Sequence, residues 1–440
     1  MALPDVMKLA REDEDEDERA FALTAPRKRA MRPRALIIRV AVALMAAIVA
    51  AQAATVATLI AVDRRRRQRS APPSFPHEEL PETRLNGSAL QIYTYGRVLY
   101  DAMLEAIDSA TDSIYIETYI WKADEVGEEF KRRLARKADE GVAVYVIFDE
   151  FGNLVVPRAF KTFPPNIHTL QYRAIRRPRH LLDPRRYALD HRKLLIVDGR
   201  VAFIGGYNIG QTYATEWRDT HLRITGQGAA ALAQAFVDFW NRYGPNDDQL
   251  NRRYKRGYDP TLMVRGNDAM RLTFPVRDAY LSGIDAAEER IRLTSAYFIP
   301  DHNLLEALKA AAARGVDTQV LVPWTSNHIV ADWASHAFFT DCLRAGVRIF
   351  GYQHAMIHAK TCVIDGQVTT IGTANIDRLS SVGNYEINAV IIGQALSEQM
   401  ERIFEADKTN AFELTLEQWK ARPWYVKASE RLIKPMRLVL

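Results

Sequence analysis

The sequence predicts an α/β fold made of two repeated halves and preceded by a single N-terminal transmembrane helix. Three observations predict it. Five polar positions recur at identical spacing 167 residues apart, helices alternate with short apolar strands once in each half, and residues 40–62 carry no charge. A chain of 440 residues exceeds one ordinary domain and suits two of about 150–180 residues plus an appendage.

The repeat organises the chain. His191-x-Lys193-x4-Asp198 in the first half answers His358-x-Lys360-x4-Asp365 in the second. Ten residues past each Asp stands an asparagine, Asn208 or Asn375, and eleven past each asparagine a carboxylate, Asp219 or Glu386. His and Lys two apart face the same side of a strand. The apolar run that follows, an Asp-Gly turn and a second apolar run read as a strand pair that delivers the asparagine from its far end. A strand-end His beside an always-cationic Lys and an Asn donor suits an anionic, phosphate-like ligand. A purely structural His–carboxylate pair would account for one copy far more readily than for two.

In chain order, the tail (1–39) holds seven consecutive acids, Glu12 to Glu18, and then a basic run, a composition that buries nothing and predicts disorder. Residues 40–62 are long enough to span a bilayer core of about 30 Å as a helix. Ala51-Gln52-Ala53 resembles a signal-peptidase site, but the apolar run continues past it. Six Lys or Arg precede the segment and five follow it within 15 residues, so charge does not orient it.

A proline-bearing linker (63–88) leads into a first domain (89–245). There an amphipathic helix from Val98 to Ala110, a strand from Ser113 to Trp121, a helix at about 127–140 and a strand from Val142 to Phe148 follow in turn. A polar join (246–262) precedes the second domain (263–408), which repeats the plan with a strand from Ile291 to Phe298, a helix at about 303–314 and a strand at 319–322. The loop before His191 crowds Arg173, Arg176, Arg177, Arg179, Arg185 and Arg186, either a solvated loop or a basic lip for anionic head groups. The last segment (409–440) mixes Trp419, Trp424 and Tyr425 with Lys and Arg, and suits a membrane interface or a helix packed on the second domain.

Composition excludes several classes. Cys342 and Cys362 have neither Cys-x-x-Cys nor metal-ligand spacing, so no disulfide framework and no structural zinc is expected. A net charge of +5 permits anionic partners.

The paired His-x-Lys-x4-Asp motifs resemble those of the phospholipase D superfamily. Asn208-Ile-Gly, Trp217-Arg-Asp-Thr-His-Leu-Arg-Ile224, Ala296-Tyr-Phe-Ile-Pro-Asp301 and Gly372-Thr-Ala-Asn-Ile-Asp-Arg378 resemble its bacterial cardiolipin synthase branch, over roughly residues 90–425. The resemblance implies two phospholipase D-like α/β/α sandwich domains related by a pseudo-twofold axis and sharing one active site. It implies a catalytic set of His191, Lys193, Asp198, His358, Lys360 and Asp365, in which the two aspartates close the motif structurally. Asn208 and Asn375 would bind the substrate phosphate, and Asp219 and Glu386 would orient the histidines. By analogy alone, His191 is the nucleophile and His358 the acid/base.

No metal and no other cofactor is expected, because the lysines supply the positive charge. The implied activity is a membrane-anchored phosphatidyltransferase that makes cardiolipin from two phosphatidylglycerol molecules through a phosphohistidine. Its partners would be anionic phospholipids (phosphatidylglycerol, cardiolipin) and the membrane, with no nucleic acid, and its place the bacterial cytoplasmic membrane as a single-pass protein. The alternatives are a hydrolytic phospholipase D releasing phosphatidic acid, a nuclease or phosphodiesterase of the superfamily, and a non-catalytic membrane scaffold.

Overall fold

Each half folds around the strand pair that its polar motif encodes. The computed structural model describes residues 42–43, 73–175, 183–254, 259–424 and 427. Two units divide the chain, residues 1–57 and 58–440. Of the first, Val42 and Ala43 are described, and both are helical. The segment read as a transmembrane helix otherwise lies outside the described residues, among which no helix is long and apolar enough to cross a membrane.

The first half runs β1 (Thr83–Leu85), β2 (Ser88–Tyr93), α1 (Gly96–Asp108), β3 (Ser113–Thr118), α2 (Glu125–Asp139), β4 (Ala143–Asp149), β5 (Ile167–Tyr172), β6 (Leu194–Val197), β7 (Val201–Gly205), α3 (Gln211–Thr215), β8 (Trp217–Arg218), β9 (His221–Gly226) and α4 (Ala229–Tyr243). The second half runs β10 (Leu262–Gly266), α5 (Pro275–Ala286), β11 (Arg290–Ser295), α6 (His302–Ala313), β12 (Asp317–Pro323), α7 (Ile329–Arg344), β13 (Arg348–Tyr352), β14 (Met356–Ile357), β15 (Lys360–Ile364), β16 (Val368–Gly372), α8 (Arg378–Val382), β17 (Ile387–Ile392), α9 (Gln394–Lys408), β18 (Ala411–Leu414) and α10 (Leu416–Lys420).

The two sheets order as β1-β2-β9-β7-β6-β3-β4-β5 and β10-β17-β16-β15-β11-β12-β13-β18. Without the added edges β1 and β18, the two orders correspond strand for strand. In each, three parallel strands (β3–β5, β11–β13) continue into an antiparallel set.

Local chemistry explains the elements. Asp124 caps α2 by accepting from Gly127 N–H at 3.0 Å, Glu125 and Glu128 occupy its first turn and Arg136 and Lys137 its last, as the helix dipole favours. The Asp-Gly turns after β6 and β15 have φ of 52° and 63° at Asp198 and Gly199, and 51° and 62° at Asp365 and Gly366. Two consecutive positive φ values make the hairpin turn whose twist matches the flanking strands.

Helices α1 and α2 cover one face of the first sheet, with Leu99, Phe130 and Leu134 packed on Ile114, Val144 and Val146. Helices α5, α6 and α7 do the same for the second. On the opposite faces α4 and α9 enter one core that both halves share, where Phe236 and Trp240 join Ile387, Ile391 and Met400. Burying each such side chain stabilises the assembly by roughly 1.5–3 kcal/mol, so the halves are held together by apolar area.

One feature departs from the sequence reading and a second decides between its alternatives. Helix α7 fills the β12–β13 crossover, where the first half has irregular chain at 150–166. At the C-terminus, β18 pairs with β13, and Trp419 is buried in the second-half core with its Nε1–H donated to Thr340 Oγ1 at 3.0 Å. Through Trp419 the segment is therefore packed rather than facing a membrane. Tyr425 and residues 428–440 lie outside the described set.

Candidate active site

The two motifs meet through backbone before any side chain is considered. The His191 N–H donates to Tyr385 O at 3.1 Å, and the His358 N–H donates to Arg218 O at 2.6 Å. Each histidine thus pairs with the residue just before the other half's carboxylate. Strands β8 and β14 run parallel across the junction and extend the second of these contacts.

The side chains follow the backbone. His191 Nδ1 lies 3.0 Å from both carboxylate oxygens of Glu386, and His358 Nδ1 lies 2.6 Å from Asp219 Oδ2. Each half therefore supplies the carboxylate for the other half's histidine. The carboxylates are themselves fixed: Asp219 Oδ1 accepts from Thr220 N–H at 2.7 Å, and Glu386 Oε2 accepts from Thr373 Oγ1 at 2.5 Å. Lys193 Nζ donates to His191 O at 2.7 Å, and Lys360 Nζ bonds His358 O in the same way.

Burial decides the electrostatics. Lys193, Lys360, Asp219 and Glu386 are all 2% exposed or less. Burial brings Lys193 down to about 8 and Lys360 to about 7, against the pull of Glu386 and Asp219. The direction is what desolvation imposes on a lysine ammonium, a cost that the His-x-Lys spacing does not display. Burial and the two lysines push His191 and His358 well below the usual imidazole range. Burial raises Asp219, and lifts Glu386 to about 8. Every charged form here is destabilised until a counter-ion enters. An entering phosphodiester anion would favour the protonated lysines.

The remaining motif residues divide. Asn208 Oδ1 accepts from Ile120 N–H at 3.1 Å. Asn375 Oδ1 is buried and has no partner among the described residues. Ile209 and Ile376, just after these asparagines, bridge to Trp121 and Phe298 beyond β3 and β11, which sets both at equivalent depths.

Asp198 and Asp365 do not join the histidines. Asp198 accepts from Thr111, Asp112 and Ser113 N–H at 2.9, 2.8 and 2.9 Å, and Asp365 from Glu288, Glu289 and Arg290 N–H at 2.9, 2.9 and 2.8 Å. They sit at the far ends of β6 and β15 and tie each hairpin turn to the start of its neighbouring strand. Both carboxylates therefore face backbone N–H groups at the turns and not the histidines.

Sequence reasoning missed several neighbours. The Tyr119 ring lies 4.8 Å from the His191 ring, and Trp217 lies 5.0 Å from His358. Gly206 and Thr373 occupy matching places in the two copies. A Cβ at Gly206 would meet Asp219 Oδ1 at 2.1 Å, whereas Thr373 supports Glu386 with its hydroxyl. The exchange of Gly-Gly for Gly-Thr within otherwise aligned motifs was the available signal.

Two further couplings cross between the halves. Arg218, fully buried, donates to Asp407 at 2.9 and 2.7 Å, and the Tyr385 hydroxyl bonds that of Tyr243. Beside His191, Arg192 donates to Glu117 at 2.9 and 2.5 Å, in a buried cluster with Asp190 that the second half lacks.

Two α/β halves, each lending a His-x-Lys pair and the other half's histidine partner to one buried chamber, define a protein of the phospholipase D type. The model of the cardiolipin synthase, phospholipase D-like domain family matches residues 103–240 and 280–408, and the chain belongs to that family. It is 34% identical over 366 residues to a cardiolipin synthase of Listeria monocytogenes, covering 79% of this chain and 75% of that one. It is 30% identical over 378 residues to the major cardiolipin synthase of Bacillus subtilis, with the same coverages. Among solved structures, phosphatidylserine synthase of Haemophilus influenzae superposes with a TM-score of 0.61 at 14% identity, over 80% of this chain and 93% of that one, a likeness of fold.

Proposed function

We propose that this chain is a phosphatidyltransferase that condenses two phosphatidylglycerol molecules to cardiolipin and glycerol. The observation that carries the reading is the crossed pairing of His191 with Glu386 and His358 with Asp219 in a chamber that also holds two buried lysines. With each Nδ1 committed to a carboxylate, Nε2 is the atom that meets substrate. The phosphodiester enters as an anion together with a proton taken up at His358 Nε2; His191 Nε2 then attacks phosphorus, the bond from phosphorus to the glycerol oxygen breaks, and that proton passes to the departing oxygen. The phosphohistidine is then attacked by the hydroxyl of a second phosphatidylglycerol, whose proton returns to His358. Lys193, Lys360, Asn208 and Asn375 hold the non-bridging oxygens and take up charge as it develops.

The proposal includes the two phospholipase D-like domains at 89–245 and 263–408, and a membrane helix over residues 40–62 that keeps the site beside its lipid in the bacterial cytoplasmic membrane. An anchored site meets concentrated lipid and little bulk water, which favours alcohol over water as acceptor. The test is product analysis. Full-length protein in vesicles of labelled phosphatidylglycerol should release glycerol and make mainly cardiolipin. Phosphatidic acid alone, at every lipid density, would replace the transferase with a hydrolase.

A further inference from the structure

We propose that a second anion site, separate from the catalytic chamber, binds a phosphate ester in the cleft bounded by Arg173, Arg186, Arg242 and Arg271. These four guanidiniums come from separate places: the end of β5, the turn before His191, the last turn of α4, and the loop after β10. The four residues line a cavity of about 310 Å3 where the two halves meet, together with Tyr172 and Tyr243. No carboxylate among the described residues lines it.

The carboxylates nearby do not neutralise the cluster. Glu150 pairs with Arg173 at 3.0 Å, Asp268 serves both Arg242 and Arg271 at 2.5 and 3.7 Å, and Asp183 is engaged by Arg185 at 2.8 Å and lies 3.9 Å from Arg186. Five arginines thus face three carboxylates. Guanidinium forks match phosphate oxygens in pairs. The opposite junction shows what a closed version looks like, since there Arg218 is fully buried against Asp407. Here the arginines are instead left around open volume.

The cleft is mechanically joined to the active site. The Tyr172 ring lies 6.0 Å from that of Tyr385, and the Tyr243 hydroxyl bonds the Tyr385 hydroxyl. Tyr385 O holds the His191 N–H, and the next residue, Glu386, holds the His191 ring. A bound anion would clamp the halves beside the strand that positions His191. The ligand chemistry is a phosphate ester or free phosphate, and the natural lipid source is the head group of another anionic phospholipid, which rests on the function proposed above.

The test uses full-length protein in non-ionic detergent. Inorganic phosphate is titrated calorimetrically into Lys360→Met protein, whose catalytic chamber has lost one of its cations, and into the same protein carrying Arg173→Gln and Arg271→Gln. Both arginines are more than half exposed, so the fold should survive, and an unchanged melting curve checks this. Losing two charge-assisted contacts should weaken phosphate about tenfold or more. Phosphate affinity within twofold of the parent would overturn the site.

Mixed micelles identify the source. Displacement of phosphate by phosphatidylglycerol but not by phosphatidylcholine assigns the lipid head group, and no displacement assigns free phosphate. In the otherwise wild-type chain, Arg173→Gln with Arg271→Gln should raise the half-saturating mole fraction of phosphatidylglycerol several-fold. Unchanged half-saturation would overturn the lipid-binding role. If wild-type protein turned over no phosphatidylglycerol, the proposed function would fall while the phosphate titration still decided the cleft.

Discussion

Lys360→Met should make the unliganded protein more stable while abolishing turnover. Lys360 is 1% exposed, and burial brings it from 10.5 to about 7 despite the carboxylates of Asp219 and Glu386. A gap of that size corresponds to roughly 5 kcal/mol of penalty on the charged form. The sign follows from proton counting. Between about 7 and 10.5 the unfolded chain binds a proton that the folded chain does not, so wild-type stability rises with pH across that window and is lowest below it. Methionine carries no such penalty and has nearly the same volume. The attraction of Asp219 and Glu386 is already contained in that gap; the gain is reduced instead by the lost hydrogen bond from Lys360 Nζ to His358 O, which leaves a net stabilisation of about 2–3 kcal/mol below pH 7.

Thermal denaturation in detergent at pH 6.5 and 9.5, without phosphate, measures this directly. The variant should melt several degrees above wild type at pH 6.5, and the gap should narrow towards pH 9.5. Added phosphate should stabilise wild type more than the variant, since only wild type has the complete catalytic cation pair. A variant that melts below wild type at pH 6.5, or a gap that widens with pH, would refute the claim that burial dominates this lysine.

Four other outcomes are expected. His191→Ala and His358→Ala should each lower turnover by several orders of magnitude, because each removes a step rather than a contact; retention of a tenth of wild-type activity by either would break the shared-site model. EDTA should leave wild-type turnover unchanged, and complete loss restored by one particular metal would count against this mechanism. Thr373→Val removes the hydroxyl that donates to Glu386 and should lower kcat about tenfold or more with little change in KM, while Thr373→Ser keeps the wild-type rate; equal losses in both variants would assign Thr373 to packing. Asp198→Ala should cost about 2–4 kcal/mol of stability, since it strands the three N–H groups that its carboxylate accepts from, yet leave kcat within a few-fold, as chemical denaturation and turnover would show.

Much of the fold was legible in the chain because it depends on local pattern. The Asp-Gly turns demand two positive φ values that few other residue pairs adopt, and they appear at Asp198-Gly199 and Asp365-Gly366. The helices expected from Val98, at about 127–140 and at about 303–314 start within about two residues of those places, since caps such as Asp124 and Asp301 are written next to the runs they start. The doubled His-x-Lys spacing marked both copies as functional, because no local packing requirement reproduces five polar positions twice, and that they share one site is what the family resemblance implied.

What only the tertiary structure decided is long-range. Two near-identical motifs do not say by spacing which carboxylate meets which histidine; that choice is made by the shared core of α4 and α9, which brings Tyr385 to His191 and Arg218 to His358. Likewise, a lysine two residues after a histidine reads as a fixed cation in sequence, and becomes conditional only once both halves have closed over it and removed its water. The seam that gathers Arg173, Arg186, Arg242 and Arg271 draws on positions nearly a hundred residues apart. Spacing fixes what a strand presents on one face, whereas charge state and partnership depend on what the rest of the chain packs against that face.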